Sequence, residues 1–376
     1  TRPNDQTGVG MKTQGGPGVD KERISPRQLT FLVMSFTIGS WIVLPSGIEA
    51  WQNLWLIMFL SLGQGLGFAY LALLLYRRYP GKTLFEVHEI VYGPLLGKLF
   101  SLLFLWFFLQ TGAGALAVFV TLLKTTVFTA TPDLALLFPW VIIAVYGCRR
   151  GIEVIARSNE PLILATVGLI LVTVLLVLNI FETENLLPLF NLPLPTVIWN
   201  SLGIAVFPFG QNVIFMMLLP KVNQQKKVMG AVFRGMLAAG FLLILIQFLA
   251  VGVLGKVGEL FVFPSIEFYR MINIGQVLTR LELIPLLNFL TMGFIKIMLC
   301  LYTLAVGTTQ LLNLRTYQPL VFPLGILIII LARQIYPSIS LHLQYIKDAQ
   351  PYFGFFFCLI LPLLTLGMSF LRGGSQ

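Results

Sequence analysis

The chain has 376 residues, 57% of them hydrophobic and only 11% charged, with a formal net charge of +10. Soluble domains carry roughly 25% charged residues, so this balance excludes a soluble globular protein and points to a chain that crosses a bilayer repeatedly. The positive balance calls for no nucleic acid, because basic loops facing an anionic leaflet account for it.

The opening stretch, TRPNDQTGVGMKTQGGPGVDKER, is polar and glycine-rich. Such a segment buries too little apolar surface to fold alone, and residues 1–25 are read as a disordered cytoplasmic tail. No apolar core followed by a small-residue cleavage site precedes the first span, so no cleaved signal peptide is expected. About 20 apolar residues cross the hydrocarbon core, and ten such runs follow: 27–48, 54–76, 94–124, 134–148, 152–180, 195–219, 229–254, 281–312, 319–336 and 351–371. They occupy residues 26–372 as one all-α integral membrane domain.

Orientation follows from Lys and Arg in the connections. With the N-terminus inside, eighteen fall on the cytoplasmic side and six, Lys124, Lys256, Arg270, Arg280, Arg333 and Lys347, on the other. Both termini are therefore expected in the cytoplasm. Between spans 2 and 3, TLFEVHEIVYG spaces Leu84, Val87 and Val91 as one helical face, predicting a short surface helix. Between spans 7 and 8, VGELFVFPSIEFYRMINIG is apolar but interrupted by Pro264, a segment expected across the outer mouth.

Spans 1 and 6 are broken. IGSWIVLP places Gly39, Ser40 and Pro45 inside an apolar run, and AVFPFGQN does the same with Pro208 and Gly210. A glycine inside a helix costs about 1 kcal/mol and a proline about 3. The breaks lie five spans apart, so the two halves of the chain run oppositely through the membrane, the inverted repeat of many secondary transporters. Unwinding frees peptide groups that hydrocarbon cannot satisfy and a polar ligand can. Half-helix N-termini then suit a carboxylate. The expected ligand-binding residues are Thr37, Ile38, Gly39, Ser40, Trp41, Phe207, Phe209, Gly210 and Gln211, with the carboxylate on N–H groups near Gly39, Ser40 and Gly210 and the two phenylalanines shaping a pocket. The bland alternative is that Gly and Pro are simply commoner in membrane helices.

Ionisable residues inside spans are costly and should face a partner or a wet cavity. Lys296 sits mid-span 8. It is expected to substitute for a bound cation, donating to carbonyls freed around Thr37 and Ile38; a structural lysine in another polar contact is the alternative. Glu160 lies at a depth about 12 Å different, so its expected partners are Arg157 or the backbone at the Pro161 kink. Gly63, Gly67, Gly112 and Gly114 read as close helix contacts. Gln64, Gln110 and Thr111 either line a cavity or bond between helices. Arg280 and Glu282 read as an outer-surface ion pair, and His88 and His342 as isolated, His88 on a loop. Cys148, Cys300 and Cys358 are too dispersed for disulfides or metal, and no cofactor or enzyme motif is present.

SPRQL opening span 1, RRGIEVIARSNE opening span 5, FPFGQN with the LLPKV that follows, and LTRLELIPLLNFLTMGFIKIMLCLY in span 8 together resemble the B-subunit family of spore germination receptors, within the amino acid/polyamine/organocation transporter superfamily. The resemblance runs from span 1 through span 10. It implies ten helices in a 5+5 inverted repeat of the LeuT type, in the spore inner membrane, recognising a small germinant, often an amino acid, alongside an A subunit and a lipoprotein C subunit. Trp41 stands where relatives often have a small residue, and Gln211 where the family carries an acid. The alternative function is an amino-acid permease working by alternating access, with proton coupling as an option.

Overall fold

The computed structural model describes residues 22–39, 41, 47–189, 191–272, 281, 283–335 and 338–372. Among these the chain is helical, and its only extended pairing is one parallel bridge between Ile24 and Val222. Local sequence sets the helix ends. Helix α1 (Pro26–Ile38) begins with proline at its first position and a reciprocal cap: Ser25 Oγ accepts from Gln28 N–H, while Gln28 Oε1 accepts from Ser25 N–H. The predicted surface helix is α3 (Leu84–Tyr92), following α2 (Leu54–Arg78) and capped in the same way by Thr83 and Glu86. It buries Leu84, Val87 and Val91 as expected.

The long spans follow: α4 (Pro94–Thr126), α5 (Asp133–Arg149), α6 (Ile152–Val177), α7 (Leu194–Ile204) and α8 (Val228–Leu254). After them come α9 (Pro264–Arg270), α10 (Leu283–Leu311), α11 (Gln318–Ile335), α12 (Ile339–Asp348), α13 (Gln350–Phe355) and α14 (Leu361–Leu371). Eight helical stretches among the described residues are long and apolar enough to cross a membrane. The two remaining predicted spans correspond to α1, with 13 residues, and α5, with 17. Helix α1 packs on α8, α6 and α10, and α10 packs on α4, so α1 and α10 sit inside the bundle.

Several expectations change. Residues 22–25, assigned to the tail, are held in place. Ile24 N–H donates to Lys221 O at 3.0 Å, and Ile24 O accepts from Asn223 N–H at 2.9 Å. The reason is long-range pairing, invisible to composition; residues 1–21 lie outside the described set. His88 belongs to α3 rather than a loop and is buried against Ser101 of α4 at 3.2 Å, where burial alone lowers its pKa to about 3. Gly63 and Gly67 face open space, and the close contact is made by Gly65 between them, where a β-carbon would lie 2.3 Å from Phe209 Cβ. Two residues along a helix turn through about 200°, so the flanking glycines point away. Glu160 accepts from Gln28 Nε2 at 3.0 Å and lies 4.0 Å from Arg27, whereas Arg157 pairs with Glu153. One helical turn separates Arg157 from Glu153, which takes it first. Arg280, Glu282 and Pro45 lie outside the described residues.

Candidate ligand-binding site

Span 6 is interrupted where the sequence indicates. Helix α7 ends at Ile204, a wide turn spans Ala205–Phe209 with Phe207 in a non-helical conformation (φ −125°, ψ 108°), and a tight 3₁₀ segment carries Gly210–Met217. Helix α1 ends at Ile38, with Gly39 N–H bonded to Ser35 O at 2.9 Å. The two breaks meet through side chains: Asn212 Nδ2 donates to Thr37 Oγ1 at 2.9 Å and to Phe209 O at 2.9 Å. Asn212 therefore ties the broken segment to the last turn of α1.

Beside this junction lies a cavity with about 40 Å³ open to water centres. At roughly 10–15 Å³ per water it holds about three or four waters, and a larger guest enters only as lining side chains move. Its walls come from α4, the broken segment, α10, α12 and α13. Phe107, Phe207 and Phe353 give it apolar faces. Polar groups converge from α4, where Gln110 Nε2 donates to Tyr345 Oη of α12 at 2.6 Å. Gln110 Oε1 and Gln350 Oε1 are buried without a hydrogen-bond partner among the described residues. His342 also lines the cavity, its pKa lowered by burial to about 4, so it is neutral at pH 7.

Lys296 enters from α10 and is 1% exposed. Its Nζ donates to Gln211 Oε1 at 2.8 Å and lies 4.9 Å from the ring centres of both Phe36 and Phe207. The expected bonds to carbonyls around Thr37 and Ile38 are replaced by this amide. The side chain runs against Gly39, where a β-carbon would sit 2.7 Å from Lys296 Cδ. Of the residues expected to bind ligand, Phe207 and Gln211 line the cavity together with Lys296. Thr37, Ile38, Gly39 and Trp41 are buried and do not line it. Phe209 and Gly210 border a separate hollow of about 20 Å³ against α2 and Cys358. Ser40 lies outside the described residues.

Sequence reasoning missed α12, whereas α13 opens the expected tenth span, 351–371. The signal was present: Ser338 caps α12 by accepting from Leu341 N–H, and Ile339, His342 and Ile346 recur at helical spacing.

Ahead of α1, Glu22 forms a second polar cluster. Its carboxylate accepts from Lys221 Nζ at 2.8 Å, from Tyr317 Oη at 2.8 Å and from Tyr302 Oη. Burial raises the carboxyl pKa, but the Lys221 charge and these three hydrogen bonds outweigh it and leave the group below its ordinary value. Gly151, at φ +94°, lies so close that a β-carbon there would stand 2.3 Å from Glu22 Oε1.

Comparison with solved structures identifies the fold. A Na⁺-coupled sialic acid symporter in a substrate-bound outward-open state aligns with a TM-score of 0.67 at 11% identity, covering 89% of this chain and 77% of that one. MhsT in complex with L-phenylalanine aligns at 0.63 and 16% identity, over 94% and 90%. Mhp1, a nucleobase-cation-symport-1 family transporter closed around bromovinylhydantoin, aligns at 0.60 and 14%, over 94% and 82%. These likenesses establish the LeuT-type transporter fold. Among characterised sequences, spore germination protein KB of Bacillus subtilis (strain 168) is 30% identical over 353 residues, 92% of this chain and 94% of the relative. Spore germination protein YndE of the same organism is 23% identical over 357 residues, 92% and 96%. A family model described as "Spore germination protein" matches residues 23–338. With apolar helices able to span a membrane and this match over most of its length, the chain belongs to the spore germination permease family, the membrane-embedded B subunits of germination receptors.

Proposed function

We propose that this subunit senses a germinant, binding a small amino-acid-like ligand in the cavity between α4, the broken segment, α10, α12 and α13. The observation that carries the reading is the pair of partnerless buried amide oxygens, Gln110 Oε1 and Gln350 Oε1, on a cavity that also holds Lys296. Buried acceptors without donors cost about 1–3 kcal/mol each, and a ligand offering N–H or O–H groups relieves that cost. On this reading both termini face the cytoplasm, the protein sits in the spore inner membrane, and it works with A-type and lipoprotein C-type subunits. A ligand acts by preferring one conformer, and the junction of the broken segments is where that preference acts.

The LeuT-type fold favours one second reading, an amino-acid permease working by alternating access, since fold alone does not fix function. Spores lacking this protein and complemented with the Val118→Trp variant, which fills the cavity wall, test the first. Loss of the germinant response at unchanged protein level is expected; an unaltered dose response refutes the site. Substrate-dependent uptake into liposomes by the purified chain alone would decide for the permease.

A further inference from the structure

Lys296 carries three N–H groups, and among the described residues one of them has an oxygen partner, the neutral amide of Gln211; two aromatic faces, Phe36 and Phe207, cover the rest. Among the described residues no Asp or Glu lines the cavity, and Lys296 is the one cation there, His342 being neutral. A buried ammonium answered by one neutral oxygen is poorly compensated, and the missing component is negative charge. On the same cavity, the oxygens of Gln110 and Gln350, without partners among the described residues, are acceptors suited to donors on the same guest. The cavity is too small for a guest to join Gln211 at the Lys296 nitrogen without displacement.

We propose that the ligand is a small carboxylate whose anionic oxygen takes the place of Gln211 Oε1 on Lys296 Nζ. This rests on the cavity being the ligand site and goes further by assigning the charge of the ligand and its anchor. The exchange breaks the described hydrogen bond between the broken span 6 and α10. Cationic ligands lacking an acid group are disfavoured, since the cavity offers them no carboxylate.

The test uses the full-length chain in lipid nanodiscs, with thermal stabilisation titrated by L-alanine, propionate and L-alaninamide. L-Alanine and propionate are expected to stabilise the wild type, and L-alaninamide to bind about thirtyfold or more weakly, the usual loss when a buried charge pair lacks one partner. Gln211→Glu supplies an internal carboxylate of the same size and should weaken both acids by a similar factor while the fold persists. Lys296→Met should do the same, and Gln211→Glu covers the case in which that variant fails to fold. L-Alaninamide matching L-alanine, acids binding Gln211→Glu unchanged, or none of the three probes stabilising the chain each overturns the proposal. Val118→Trp separates the two readings: if it abolishes binding that is indifferent to the carboxylate, the cavity stands as the ligand site and only the anchor is lost.

Discussion

Replacing Glu22 by Gln should release the segment that leads into α1. The Glu22 and Lys221 side chains are 14% and 11% exposed, so the pair is largely out of water and solvent screening takes little from it. Breaking a buried pair by neutralising one member costs about 3–5 kcal/mol, chiefly because the other charge is stranded. Glutamine keeps the shape and one acceptor for Tyr302 or Tyr317, which places the expected cost near the lower end, about 3 kcal/mol, or roughly a hundredfold in the opening equilibrium. The reporters are the two amides that tie the segment down, Ile24 N–H to Lys221 O and Asn223 N–H to Ile24 O. Hydrogen exchange of the full chain in nanodiscs should show both losing about a hundredfold in protection while the amides of α10 are unaffected. Unchanged protection at Ile24 and Asn223 would mean that burial of Ile24, which is fully inside, holds the segment and the carboxylate does not.

Acid should reproduce that release. Because the folded-state pKa of Glu22 is lowered from 4.5, its contribution is full above that value and declines as the pH falls through the lowered pKa; the difference in protection between wild type and Glu22→Gln should shrink toward zero over that interval. Thr37→Val removes the hydroxyl that accepts from Asn212 Nδ2. With that donor buried and left with Phe209 O alone, a loss of about 1–3 kcal/mol in unfolding stability is expected, and a change under 0.3 kcal/mol in denaturant titration would show the two breaks to be independent.

The membrane spans were legible because their cause is local: an apolar run long enough to cross a bilayer is visible residue by residue, and so are the Gly and Pro that interrupt spans 1 and 6. The capped surface helix α3 was legible for the same reason. What escaped was pairing at a distance. The partners of Glu22 lie 199, 280 and 295 residues away, and nothing in DKER separates a carboxylate bound by three distant side chains from one in a free tail. The acceptor of Lys296 was misjudged because depth in the membrane constrains which groups are level with it but not which way a four-carbon side chain turns; the path past Gly39 toward Gln211 depends on how α1 and α10 cross. Helix α12 escaped because it is short and polar beside the runs around it, and a scan for spans passes over such a segment.

The sequence argument located recognition in peptide groups freed by unwinding, and the junction of the breaks redirects that argument. Asn212 donates to the Phe209 carbonyl and to Thr37, so the two breaks are joined to each other through side chains. The cavity also offers side-chain groups: two amide oxygens without a partner among the described residues and the lysine that Gln211 occupies. Peptide groups are the same in every sequence that keeps a break, whereas Gln110, Gln211, Lys296 and Gln350 change with a single codon. Recognition built on them separates the ligand preference from the backbone arrangement that moves, so the former is free to change without rebuilding the latter.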